Sequence, residues 1–308
     1  MVALGKRCRE VLLTMYDLGA ILQFAVSGLG AGCIYGLVAI GFAVIFNASG
    51  IVNFAQGAFV MLGGVLTFVL FNIVRLPLPM AAILAVVLTA AFGACFQLLI
   101  IRPLHRRRTP VFIMMLATLA LSILVENMVL HTVGDRPLSF PSFTPGDPLH
   151  LGLVVIDRQI LWMVGGSLFL VVVLRLVYGF TLFGKAMKAC AINPEAASTL
   201  AIPVQRMIAY SFALSAALGA IGGILITPTQ YTAYHITVPF SVSGFIAAIV
   251  GGLGNPLGAF VGGVILGVLQ SFAVLFFSAG YKDIVAFSVL LLFLFLRPAG
   301  LFGSLVED

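Results

Sequence analysis

Gly179-Phe-Thr-Leu-Phe-Gly-Lys-Ala186 (GFTLFGKA) is one substitution away from the phosphate-binding loop pattern G-x-x-x-x-G-K-[ST]. A true loop of that kind would make the chain a soluble α/β nucleotide binder, with a strand before the loop and a helix after it. The last position is Ala186, which has no hydroxyl for Mg²⁺. The residues ahead of it, 170–178 (LVVVLRLVY), complete a long apolar run, and no soluble domain is present to supply a parallel sheet. The stretch is therefore read as the exit from a membrane helix, with no ATP bound by this chain.

The composition agrees with that reading. Of 308 residues, 62% are hydrophobic and 8% charged, and the mean hydropathy is +1.20. Soluble domains carry roughly 45–50% apolar and about 25% charged residues. The surplus of apolar surface needs lipid as solvent. The 33 glycines suit helices packed at close range in a bilayer, and the long unbroken apolar runs exclude a barrel. The expected fold is an all-α polytopic membrane protein, one transmembrane domain over 1–308.

Apolar segments run over 19–46, 51–71, 79–101, 110–131, 158–178, 207–227, 240–254, 256–278 and 283–297. A crossing takes about 20 residues, so 240–254 and 283–297 are short. The net charge of +6 reads as topology and not as affinity for nucleic acid. Lys6-Arg7-Arg9, Arg102 with Arg106-Arg107-Arg108, and Lys185, Lys188 and Arg206 mark cytoplasmic loops. The basic amino terminus is read as leading into a retained first span, with no small-residue cleavage site. Parity then requires one of the first three segments to be incomplete. Residues 51–71, opening on Ile51-Val-Asn-Phe-Ala-Gln-Gly57, are the natural candidate for a broken or re-entrant segment. The count is about eight spans, give or take one, with both termini cytoplasmic. The hydrophilic loop 132–157 lies outside, and Arg75, also outside, is a misfit.

No catalytic or metal-binding pattern is visible. Cys8, Cys33, Cys95 and Cys190 share no ligand spacing and read as buried, inert thiols. The four histidines stand singly.

The loop 179–206 carries a helix of its own. Pro194 suits a first helical position, with Asn193 as cap and Glu195 at the positive end of the dipole. Ile202-Pro203 stops it. A segment this polar faces the cytoplasm.

Glu195-Ala196-Ala197, set between two membrane helices, is similar to the Glu-Ala-Ala loop of bacterial ABC importer permeases. The glycine usual a few residues later is missing, with Ala201 near its place. Residues 31–41 (AGCIYGLVAIG) with Val52-Asn-Phe-Ala-Gln-Gly57, Val250-Gly-Gly-Leu-Gly-Asn-Pro-Leu-Gly-Ala259, and the ending Tyr281-Lys-Asp283 through Arg297-Pro-Ala-Gly300 resemble branched-chain amino acid permeases of the LivH type. The resemblance implies an inner-membrane importer subunit for leucine-type or other amino acids, short amides or urea. It implies ATPase coupling through Gly184, Lys185, Pro194, Glu195, Ala196, Ala197 and Ala201. It also implies a second permease of the LivM type, two ATPases of the LivG and LivF types that hold ATP and Mg²⁺, and a periplasmic binding protein. This chain itself needs no cofactor.

A self-sufficient secondary transporter or channel is the other reading. Such proteins often carry ionisable groups along their path, whereas these spans are nearly free of charge. Glu126 is the clearest intramembrane acid, about five residues or some 8 Å of helix from the outer end. Asn53 and Gln56, three apart, would share a helical face and line a solute path or hold helices together. Asn47, Glu126 and Asn127 are further path candidates. Gly251, Gly252, Gly254 and Pro256 interrupt an apolar stretch, as a hinge, a re-entrant tip or a close-packing site.

Overall fold

The computed structural model describes residues 18–152 and 154–303. Among them, nine helices are long and apolar enough to cross a bilayer. They are α1 (Leu18–Ser49), α2 (Gln56–Ile73), α3 (Leu78–Arg106), α4 (Val111–Val133), α5 (Arg158–Phe180), α8 (Val204–Gln230), α9 (Tyr234–Gly251), α10 (Pro256–Phe276) and α11 (Ala279–Leu296). Two shorter helices, α6 (Leu182–Ile192) and α7 (Pro194–Thr199), separate α5 from α8. A small antiparallel hairpin, β1 (Leu149–Leu151) with β2 (Val154–Ile156), precedes α5.

Glycine decides how closely the central helices meet. On α1, Gly28, Gly32 and Gly36 recur every four residues and form one stripe, set against Gly263 and Gly267 of α10. A methyl at Gly267 would sit 2.2 Å from the Gly32 Cα, and one at Gly263 would sit 2.2 Å from the Gly36 nitrogen. In lipid, helix association relies on this kind of backbone approach. The same device joins α2 to α8, where a methyl at Gly223 would meet the Val60 carbonyl at 1.9 Å. α1 is thereby the most enclosed span, and α5 and α11 lie mostly at the periphery.

Two ends of the bundle are distinguished by their contacts. At one end the Gln23 side chain brackets β2, donating to the Val155 carbonyl at 2.7 Å and accepting from its amide at 2.9 Å. There too Leu138 pairs with Thr232 across the α8–α9 connection. At the other end Asn47 donates to the Gly254 carbonyl at 2.9 Å. A cavity at that end brings Asn47 and Ser49 against His105, Cys190 and Pro194. The basic stretch 102–108 and the α6–α7 segment therefore share an end, as their charges suggest.

The structure alters the expected segmentation in three ways. The short segments 240–254 and 283–297 become α9 and α11 of 18 residues each, because 3-10 turns at Tyr234–Ile236 and Ala279–Tyr281 lengthen them. Residues 51–71 are broken as expected, residues 50–55 being non-helical, but α2, which follows the break, is long and apolar enough to cross. Gln23, near the start of α1, bonds to the hairpin and Asn47, near its end, to Gly254, so Leu18 starts at the hairpin end, opposite the 102–108 stretch. The expectation that the basic amino terminus is cytoplasmic falls on residues 1–17, outside the described residues. Arg75 follows α2, exposed and in the left-handed region at φ 60°. Cys33 and Cys190 are buried, whereas Cys95 is exposed on α3, against the reading of buried thiols. Cys8 lies outside the described residues.

Candidate functional site

Two features stand apart from the helix packing: the break before α2, and the α6–α7 segment. The break lies deep in the bundle. Gln56, where α2 begins, is level with Gly41 of α1, eight residues or about 12 Å of helix above Ser49. Backbone without helical bonds is tolerated at this depth only where protein covers it. Side chains from two other helices supply the cover. The Phe54 amide donates to Thr118 Oγ1 of α4 at 3.0 Å. The Gly57 amide donates to Ser241 Oγ of α9 at 2.9 Å, and that hydroxyl donates to the Phe54 carbonyl at 3.1 Å. The Asn53 side chain accepts from the Ala55 amide at 3.2 Å.

Gln56 fastens the break to α8. Its Nε2 donates to the Ser215 carbonyl at 3.1 Å. Ser215 Oγ lies 2.6 Å from Gln56 Oε1 and 2.9 Å from the Gly41 carbonyl. A hydroxyl has one proton, so it donates to one of these oxygens at a time. Gly41 and Gly57 make room, since a methyl at Gly57 would sit 1.9 Å from the Thr237 carbonyl. Asn53 and Gln56 are both fully buried. They do not share a helical face as expected, because Asn53 precedes the helix. Asn53 Nδ2 is buried with no partner.

The remaining path candidates are dispersed. Asn47 is tied to Gly254 at the end of α1. Glu126 is half-buried on α4, and exposed Asn127 donates to its own helix at the Ile123 carbonyl, 2.8 Å away. Neither is brought to the Asn53–Gln56 seam. Ser215, Ser241 and Thr118, which build the seam, escaped the sequence reading because lone hydroxyls in apolar helices look alike there. Gln159 escaped it too; fully buried at the start of α5, it donates to the Leu225 carbonyl of α8 at 2.8 Å.

Residues 251–256 form the turn between α9 and α10. Gly252 takes φ 103°, and Asn255 caps α10 by accepting from Leu257 and Gly258, with Pro256 in the first turn. The turn is packed as well as bent. A methyl at Gly251 would meet the Gly258 carbonyl at 2.1 Å, whereas Gly254 has only the Asn47 amide oxygen, at 3.7 Å, within reach. The Leu301 and Phe302 amides donate to the Val250 and Gly251 carbonyls.

The α6–α7 segment is built by consecutive caps. Thr181 ends α5 and caps α6, its hydroxyl accepting from the Gly184 amide at 3.0 Å. Gly184 sits in the corner, where a methyl would lie 2.2 Å from the Val177 carbonyl. Lys185 and Lys188 project from α6, while Met187 and Cys190 are buried. Burial raises the Cys190 thiol above its ordinary value. Asn193 then caps α7, accepting from the Glu195 and Ala196 amides at 3.0 Å each, with Pro194 in the first position. Exposed Glu195 stands at the positive end of this short helix, and Ala197 anchors it by burial.

The exit from α7 explains the residue at position 201. The Ile202 amide donates to the Ala197 carbonyl at 3.1 Å and the Ala201 amide to the Ser198 carbonyl at 3.1 Å. This crossed pair is the helix exit that normally requires glycine in the left-handed region. Ala201 occupies that place with φ 59°. Ile192 and Leu200 flank α7, strongly exposed beyond the bundle.

The described residues hold no group of three or more His, Cys, Asp or Glu able to bind a metal. The family described as the permease component of branched-chain amino acid transport systems matches residues 24–294. The high-affinity branched-chain amino acid transport system permease protein BraD of Pseudomonas aeruginosa is 32% identical, covering 92% of this chain and 95% of that protein. The corresponding LivH of Escherichia coli K12 is 29% identical over the same shares. The probable LivH of Methanocaldococcus jannaschii is 26% identical over 87% of this chain and 88% of that protein. No solved structure matches. With a match running through all nine spans and the α6–α7 segment between them, this chain belongs to the family of permease components of branched-chain amino acid transport systems, as a transport subunit and not an enzyme.

Proposed function

We propose that this chain is one transmembrane half of an ABC importer in the bacterial inner membrane, and that branched-chain amino acids are its solutes. Short amides and urea, left open by the sequence, have no named relative behind them. The α6–α7 segment (within 179–206) faces the cytoplasm and seats an ATPase subunit that binds ATP and Mg²⁺. Gly184 and Lys185 shape its approach, and Pro194, Glu195, Ala196, Ala197 and Ala201 shape the docking helix. The loop 132–157 faces the periplasm, where a binding protein delivers solute. A second permease and a second ATPase complete the assembly.

The observation that carries this reading is α7. It is six residues long, capped at its entry and closed at its exit, with Ile192 and Leu200 exposed beside it. So short a helix does not persist from propensity alone, and its caps hold in place a surface that a partner covers. The solute path runs along the Asn53–Gln56 seam, which opens when the docked ATPases move α6–α7. Asn47 and the 251–256 turn stand at its cytoplasmic mouth. Glu126 and Asn127 lie off this route.

The test compares the purified chain alone with the chain co-expressed with a second permease and candidate ATPases and supplied with the binding protein, in proteoliposomes loaded with ATP. ATP-dependent leucine uptake only in the complex supports the importer. Uptake by the chain alone, driven by an ion gradient, would establish the secondary transporter instead.

A further inference from the structure

The corner between α5 and α6 borders a cavity of about 420 Å³ that does not include the Asn53–Gln56 seam and touches the 251–256 turn only at Asn255 and Pro256. Its walls are hydrocarbon, from Ile40 and Val44 of α1 and Val171 and Leu174 of α5. Arg175 and Lys188 also line it, both exposed. Arg175 lies five residues before the end of α5, so its head reaches the membrane surface. Among the described residues neither cation has an ion-pair or hydrogen-bond partner.

Two like charges facing one space call for an anion with several acceptor oxygens. Apolar walls call for hydrocarbon, and the volume admits about a dozen methylene-sized groups if each takes roughly the 30 Å³ of a liquid water. A soluble phosphate would leave those walls wet. A helix from another chain would fill them but would also have to bring a buried carboxylate. An amphiphile with an anionic head meets both demands, and basic pockets between membrane helices are known headgroup sites.

We propose that this cavity binds an anionic phospholipid from the leaflet on the α6–α7 side. Its phosphate lies between Arg175 and Lys188, and an acyl chain enters between α1 and α5. Because Lys188 belongs to α6 and Arg175 to α5, the lipid braces the corner at which α6–α7 leaves the bundle. The inference is independent of which solute is carried.

The experiment uses the intact complex, delipidated in mild detergent, reconstituted with phosphatidylglycerol and phosphatidylcholine in equal amounts, and washed. Retained lipid is read by native mass spectrometry. Wild type should keep phosphatidylglycerol selectively. Arg175→Gln with Lys188→Gln should lower that retention at least about ten-fold, and Arg175→Lys with Lys188→Arg should preserve it. Arg106→Gln with Arg107→Gln serves as the control and should change nothing. Unchanged retention in the first double variant, or an equal loss in the control, overturns the proposal. So does a crosslink from Val171→Cys to another polypeptide, which would give the cavity to a neighbouring subunit.

Discussion

Replacing Ala201 by glycine should tighten the exit of α7. Ala201 stands at φ 59°, a conformation that costs an L-residue roughly 1–2 kcal/mol and glycine almost nothing. Against this, glycine's greater freedom in the opened segment returns about 0.4–1 kcal/mol. The expected net gain for Ala201→Gly is about 0.5–1 kcal/mol, which lowers the open population about two- to five-fold. The effect is local, so the assay is hydrogen–deuterium exchange on the peptide covering 200–206. The informative group is the Ile202 amide, which donates to the Ala197 carbonyl at 3.1 Å. Ala201→Val, β-branched at the same backbone angle, should exchange faster than wild type. Unchanged or faster exchange at Ile202 in the glycine variant would refute the assignment of strain to this position.

Glu195→Lys should weaken the start of α7 by about 0.3–1 kcal/mol and abolish ATPase co-purification and uptake while the chain still inserts; wild-type values for both would make α7 a passive connector. Ala186→Ser, which completes the phosphate-loop pattern, should create no nucleotide binding, because α6 and not a strand-flanked loop occupies that place; binding of a fluorescent ATP analogue would show otherwise. Gln56→Leu leaves the Ser215 carbonyl without its side-chain donor, at about 1 kcal/mol, and should reduce uptake at near-normal expression. An unaffected uptake rate would remove Gln56 from the transport cycle. Gly223→Leu drives side-chain atoms into the Val60 carbonyl, so monodisperse protein should be lost on size exclusion, and normal recovery would contradict the close packing of α2 on α8. With the native cysteines replaced, cysteine at Asp147 should react with an impermeant thiol reagent in intact cells and cysteine at Arg107 should not; equal labelling would overturn the orientation.

Much of this molecule is legible from its residues because the deciding forces are local or global, not pairwise. Composition alone sets the solvent, since 62% hydrophobic residues exceed what a soluble fold can cover. Asn193-Pro194-Glu195 announces a helix start, because a cap bonds only to amides two and three residues on. Arg106–Arg108 and Lys185–Arg206 announce a shared side, because charge outside the bilayer obeys a rule of sidedness and not of contact.

What only the tertiary structure decided depends on partners distant in the chain. Three-residue spacing put Asn53 and Gln56 on one helical face, but Thr118 and Ser241 satisfy the 54–57 backbone without a helix, so α2 begins at Gln56. Charge parity made residues 51–71 incomplete by placing the start of α1 on the side of 102–108, whereas the packing puts Leu18 at the opposite end, which parity by itself cannot see. Ser215 and Gln159 gave no signal, because a hydroxyl or amide in an apolar run becomes meaningful only through the carbonyl it meets. The glycines of α1 and α10 were countable from the start. That Gly32 faces Gly267 follows from which helices pack together, and helix packing is a property of the folded chain in its membrane.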